Sequence, residues 1–431
     1  MDDSTALALP GAVRWPPADL AAEPDSPFDL ATFFSPVPKS ENAAPLYLDA
    51  LSDFDLGMAA CFPEDQWAAV HERALRRQEK LAQIFDPATG QAAVWVNADT
   101  IDRVLDAYKV GFEKLRRAQE RPRCAFELGP TASAELPHAF AARQVVTIAR
   151  LRHNRDVQRG NLVRPIETVG IILRLARDLQ PRASLMCQIV AVALELNSRE
   201  LVLEILRLPD LRVDHVDLLL GVLERHELDA LPHPLAEGHS VEYVYARTGL
   251  RDLEHRTGDY SPEGFRRLGP GFGSEIKTLG EFAVRCGKLL VGTNPNSGPE
   301  RTAEEIDRQL NGMGPDDFKR EAQHIKEYYE KLIAVSKRPF QNQVANFPKP
   351  LGFYLNLPGA SPPYPLIWTR PLAGLRLVRC LAAMRRWQLT ETTAPPNLET
   401  VVRAAGLNAV PDDPFGDRPI RMAWVANEPV V

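Results

Sequence analysis

No long hydrophobic run occurs in this chain. Across 431 residues, the longest apolar candidate, 185–208, is interrupted by Asn197-Ser198-Arg199-Glu200, whereas a spanning helix needs roughly 18 or more consecutive apolar residues. A membrane span is therefore not expected. Paired cysteines are also missing: Cys61, Cys124, Cys187, Cys286 and Cys380 are scattered, odd in number and never spaced C-x-x-C. That excludes the patterns of a disulfide framework or a structural zinc site, and the thiols read as core residues. Charge of one sign is not concentrated anywhere. The 51 basic and 57 acidic residues leave a formal charge of −6 and are intermixed, which argues against a dedicated nucleic-acid surface. The opening Met1-Asp2-Asp3-Ser4-Thr5 lacks a basic region, and the apolar stretch after it stops at Pro10. No secretory signal is predicted, and the chain reads as cytoplasmic.

Helical periodicity is what the chain does have. Its 45% hydrophobic composition supports a sizeable core. The longest patterned stretch runs from Phe140 to Glu227, cut by Gly160-Asn161, Pro181 and Pro209-Asp210. Leu185, Ile189, Val192 and Leu196 recur at helical spacing beside a second stripe of Met186, Val190 and Ala193, leaving Gln188, Glu195 and Arg199 as a narrow polar line. This segment is predicted to be the central core helix. Before it, Ile166, Val169, Ile172, Leu173 and Ala176 carry a helix that Pro165 fits in its first turn and Pro181 stops. Leu201 to Leu206 extend the core, either in the same helix or in a new one capped by Asn197 and Glu200. A further helix starts near Asp214 and buries Val216, Leu219, Leu220 and Leu223.

The flanks divide by composition. Residues 1–41, rich in proline, read as a flexible leader, and deleting residues 1–40 should leave the melting temperature nearly unchanged. Residues 42–232 form a helical domain. In 233–339, Val241–Tyr245 reads as strand, Leu268–Ser274 as a Gly/Pro turn, and helices are expected near 275–290, 302–310 and 315–335. In 340–431, Phe340–Pro371 reads as a long packed loop, Leu372–Gln388 and Leu398–Ala405 as helices, and Pro411–Val425 as an extended tail. Phe415, Ile420 and Trp424 are expected to anchor that tail on the Leu372–Gln388 helix. Asp412, Asp413 and Asp417 are too few ligands for calcium.

Short segments carry a resemblance. Glu41–Tyr47, Leu136-Pro137-His138 leading to Arg143, Leu173–Arg177, Leu185–Ala193 and the closing Asp413–Arg421 resemble a family of planctomycete-type bacterial helical proteins without an assigned activity. The resemblance implies a mainly α fold with a tetratricopeptide-like layer of antiparallel helical hairpins and a small irregular C-terminal unit similar to pseudopilin tails.

No chemical motif stands out. The nine histidines include no H-E-x-x-H pair, so His233 and His239, flanking a Pro/Gly loop, are not read as metal ligands. Asp252, Glu254, His255 and Asp259 could be an acid/base cluster, but the preferred reading is a solvated face. Ser184 and Ser198 lack a nucleophile elbow. Gly269-Pro270-Gly271-Phe272-Gly273 lacks the Lys-Ser/Thr of a phosphate cradle, and His138 reads as a helix-entry packing residue. No metal, cofactor or nucleic acid is expected. The chain reads as a non-enzymatic helical scaffold or partner-binding protein, with another protein as partner. The competing expectation is a hydrolase-like enzyme assembled from dispersed residues. A deep pocket gathering ionisable groups would favour the enzyme, and an apolar groove along the helices the scaffold.

Overall fold

The computed structural model describes residues 26–83, 97–129, 136–255, 303–349, 364–416 and 418–425, with residues 7, 9, 20, 257 and 428–430. The chain is mainly α. After a one-turn helix at Leu30–Phe33, the helices are α1 (Ala44–Leu51), α2 (Glu64–Leu81), α3 (Ala98–Ala118), α4 (Pro137–Gln158), α5 (Val163–Asp178) and α6 (Leu185–Leu206). They continue with α7 (Val213–Leu228), α8 (Pro234–His255), α9 (Ala303–Asn311), α10 (Pro315–Ser336), α11 (Phe340–Asn346), α12 (Tyr364–Thr390) and α13 (Leu398–Ala404). Two small antiparallel ribbons close the chain, Asp412–Asp413 with Arg418–Pro419 and Ala423–Val425 with Glu428–Val430.

Local chemistry sets the helix starts. Asn97 and Asn397 accept hydrogen bonds from Thr100 N and Thr400 N at 2.8 Å each, and the Ser184 hydroxyl accepts from Cys187 N at 3.4 Å. Pro137 and Pro315 occupy first-turn positions, where a missing N–H costs little. Helix α6 runs unbroken through Asn197, whose side chain donates back to the Ala193 carbonyl at 2.8 Å, so the capping alternative at this point is not used.

Four helices make a ring: α5 packs on α6, α6 on α12, α12 on α7, and α7 back on α5, with α4 layered over α5 and α6. The fourth side comes from far down the chain. Leu375, Val378, Cys380, Ala382, Ala383 and Met384 of α12 are buried in one core with α1 and α3–α7. A second core lies around α8 and α10, with Val241, Tyr243, Val244, Leu250, Leu253 and Ile325 inside it.

Several expectations are corrected here. Val241–Tyr245 is helix, not strand, because α8 is sandwiched between α6 and α10 and packing outweighs the β preference of valine and tyrosine. Phe340–Pro371 is not one loop: α11 forms directly after Pro339, and α12 begins at Tyr364 and runs through Pro371. Burial along α12 outweighs the hydrogen bond that the proline removes. The leader is not free of the fold, since Leu20, Leu30 and Phe34 are buried in the second core. In α6, Leu185, Ile189 and Leu196 are only half-buried and Met186 is exposed, while Gln188 and Glu195 are buried. The polar line points inward, because α12 covers it. The expected helix at 275–290 and the turn at 268–274 lie outside the described residues.

Candidate functional site

A cavity of about 420 Å³ opens where the ring meets the second core. Of the polar line, Glu195 lines the cavity, beside Gln180 and His226, and Gln188 supports Gln180 from outside the lining. The buried Gln188 amide donates to the Gln180 carbonyl at 2.8 Å and accepts from Trp368 Nε1 at 3.5 Å. Gln180 Nε2 in turn donates to Glu195 Oε1 at 3.2 Å. The same oxygen of Glu195 lies 3.4 Å from His226 Nε2, contributed by the last turn of α7. Both side chains are largely buried, so neither is fully solvated; Glu195 relies on Gln180 and His226 for partners and His226 on Glu195.

One wall is a charge clamp. Glu227, next to His226, accepts from Arg376 Nε at 2.9 Å and from Arg379 at 2.5 Å, and Arg379 also reaches Glu224 at 3.3 Å. These pairs hold α12 against α7, and Arg376 further donates to the Asp412 carbonyl at 2.8 Å, which seats the first ribbon on α12. The other walls are apolar, with Leu231, Pro234, Phe340, Trp368 and Leu372 among them. Lys337 and Arg338 stand exposed at the rim, and their side chains have no ion pair among the described residues.

The residues weighed in the sequence lie mostly elsewhere. His233 lines the rim of this cavity. His239 is wholly buried, with Nδ1 3.3 Å from the Leu235 carbonyl, and burial pushes its pKa down to about 3. Glu254 and His255 are exposed at the end of α8, while Asp252 accepts from Thr257 N at 2.8 Å only through its backbone carbonyl and from Thr257 Oγ1 at 3.2 Å through its carboxylate. Asp259 and Gly269–Gly273 lie outside the described residues. Ser184 serves as the α6 cap, and the buried Ser198 hydroxyl has no described partner.

His138 meets a cysteine. Its Nε2 is 3.4 Å from Cys187 Sγ, and its ring stacks on Phe126 at 4.5 Å. Burial holds the imidazole down to about 3 and pushes the thiol up to about 12. The couple is therefore a neutral thiol with a neutral imidazole, the reverse of the thiolate–imidazolium pair a cysteine nucleophile needs. It is a packing contact, as the helix-entry reading of His138 implies. In the tail, Phe415 packs edge-on against Phe340 of α11 at 4.9 Å, Ile420 packs against the ring core, and Asp417 and the Trp424 side chain lie outside the described residues.

Sequence reasoning missed His226, Glu227, Arg376 and Arg379 as site residues, because α7 and α12 are some 150 positions apart and nothing local pairs them. The one available signal was the presence of Gln188 and Glu195 seven residues apart on a helix too apolar to have a solvent face. Among the described residues no group of three or more His, Cys, Asp or Glu could hold a metal ion, and no helix is long and apolar enough to cross a membrane. No family model, curated protein or solved structure matches this chain, so the planctomycete-type resemblance remains an expectation drawn from its short segments.

Proposed function

We propose that this chain is a helical partner-binding protein whose cavity takes an apolar side chain from an acidic segment of another protein. The observation that carries the reading is the contrast between floor and rim. The inner charges are already spent on one another, Glu195 with Gln180 and His226, and Glu227 with Arg376 and Arg379. The apolar walls offer contact area, and Lys337 and Arg338, whose side chains have no ion pair among the described residues, supply a positive rim. Apolar anchor plus complementary rim charge is how helical proteins commonly select short segments. The tetratricopeptide-like reading belongs with this role, since both rest on paired helices presenting a face to a partner.

Selection of short random peptides against the full chain tests it. Enriched peptides should pair an aromatic or branched apolar residue with Asp or Glu, and Lys337→Glu with Arg338→Glu should cut their affinity at least tenfold. Peptides that bind the charge-reversed chain equally well would sink the proposal.

A hydrolytic reading is favoured by one observation, the Glu195–His226 contact inside a cavity. There the pair would act as a general base on water. Turnover of activated carboxylic or phosphoric esters that disappears in Glu195→Gln would support it, and the absence of turnover across such a panel would remove it.

A further inference from the structure

A second cavity, of about 320 Å³, lies on the opposite side of α7, between α3, α5 and α7. Four guanidinium groups line it: Arg116 from α3, Arg174 and Arg177 from α5, and Arg225 from α7. Arg174 and Arg177 are pinned by the buried Asp178, which accepts from Arg174 Nε at 2.8 Å, from Arg177 at 3.2 Å and from the Tyr47 hydroxyl at 2.7 Å. Arg177 also donates to Asp229 at 2.5 Å. The guanidinium groups of Arg116 and Arg225 have no hydrogen bond or ion pair among the described residues. The carboxylates on the wall are Glu167 and Asp229. Even with Asp178 counted behind it, four cations face three anions.

Past the rim, Arg152 is half-covered, lies over the Phe112 ring at 4.9 Å and pairs with Asp156 at 3.7 Å; burial lowers its pKa, Asp156 opposes that, and Arg116 and Arg164 lower it further. Apolar side chains share the lining with the arginines, Ile171 and Leu173 on α5 and Val222 on α7, with Gly170 adding no side chain and Gln119 and His226 completing it. A guanidinium matches the two oxygens of a carboxylate or phosphate in a fixed fork, and an apolar wall adds contact only if the anion carries a hydrophobic body.

We propose that this cavity binds an organic oxyanion, a phosphate or carboxylate head between Arg116 and Arg225 with a small apolar body against Ile171, Leu173 and Val222. The two cavities lie on either side of His226, which lines both, and the variants that test this one alter no residue of the partner cavity's rim or floor.

Isothermal titration of the full chain with hexyl phosphate, hexanoate, hexanol and inorganic phosphate tests the assignment. At least one of the two amphiphilic anions should bind tenfold or more tightly than both hexanol and inorganic phosphate, and the tighter of the two identifies the head group. Arg116→Ala and Arg225→Ala should each weaken that binding at least fivefold, and raising the salt should weaken it further, while Arg76→Ala on exposed α2 should not change it. Because the Arg116 and Arg225 side chains are exposed and have no partner among the described residues, both variants should keep the wild-type melting temperature, so lost binding reports lost ligand contact. Absence of binding at millimolar anion, equal affinity for hexanol, or affinity unmoved by either arginine variant would overturn the proposal.

Discussion

Single residues show how burial sets the chemistry of this fold. Glu242 of α8 is partly buried, and one carboxylate oxygen accepts the Leu185 N–H at 3.0 Å at the start of α6. Burial raises its pKa from 4.5 to about 7, with the Leu185 hydrogen bond pulling the other way. The folded state thus binds this proton more tightly than the unfolded chain. Its stabilising contribution is fully present below about pH 4.5 and is lost as the pH rises through about 7. With partial exposure discounted, the change is on the order of 2 kcal/mol. Melting temperatures of wild type and Glu242→Gln, compared at pH 5 and pH 8, should therefore diverge: the variant loses less stability on going to pH 8. Parallel shifts for the two proteins would show that Glu242 ionises normally. Nothing in the neighbouring sequence announces this, since Leu185 and Glu242 meet only when α8 crosses the N-terminus of α6.

At the scale of elements, most helices were readable and their partners were not. Periodicity located α5, α7, α10 and α13 to within a few residues, because one face of each packs and the other meets water. It failed where a helix is covered from several sides. In α6 the stripes were placed on Leu185, Ile189, Val192 and Leu196 and on Met186, Val190 and Ala193; of these Val190 and Val192 are buried, but the fully buried positions include Cys187, Ala191, Ser198 and Val202. In α8 the valines and tyrosines read as strand for the same reason. The N-terminal segment was misread because its anchors are few and widely spaced: Leu20, Leu30 and Phe34 sit among prolines, but all three reach the second core, and Phe28 lies edge-on to Tyr243 at 6.0 Å. A docked arm should contribute. Each fully buried large apolar side chain is worth about 1.5–3 kcal/mol before ordering costs, so deleting residues 1–35 should cost roughly 2–5 kcal/mol. That corresponds to a drop of roughly 5–15 °C in the melting temperature. A midpoint within about a degree of the full chain would restore the view of this segment as a passive leader.

The whole molecule depends on one long-range decision, the insertion of α12 between α6 and α7. Removing residues 364–431 would open the ring, expose the apolar faces of α6 and α7, and leave Gln188 without Trp368 and Glu227 without Arg376 and Arg379. The loss should approach the total stability of a domain, roughly 5–15 kcal/mol. The truncated chain should therefore retain helical circular dichroism but melt without a cooperative transition and bind a hydrophobic dye. A sharp melt near the full-length midpoint would mean that α12 is a passenger on the ring. By itself the sequence determined the helical class, the positions of most helices and the lack of a spanning helix among the described residues, because those follow from spacing and from side chains that act within a few residues of themselves. Tertiary structure alone decided that the polar line of α6 faces inward, that His226 meets Glu195, and that arginines from three helices share one cavity. Each of these joins residues distant in the chain, and which of several apolar faces pair is settled by the packing of all of them together.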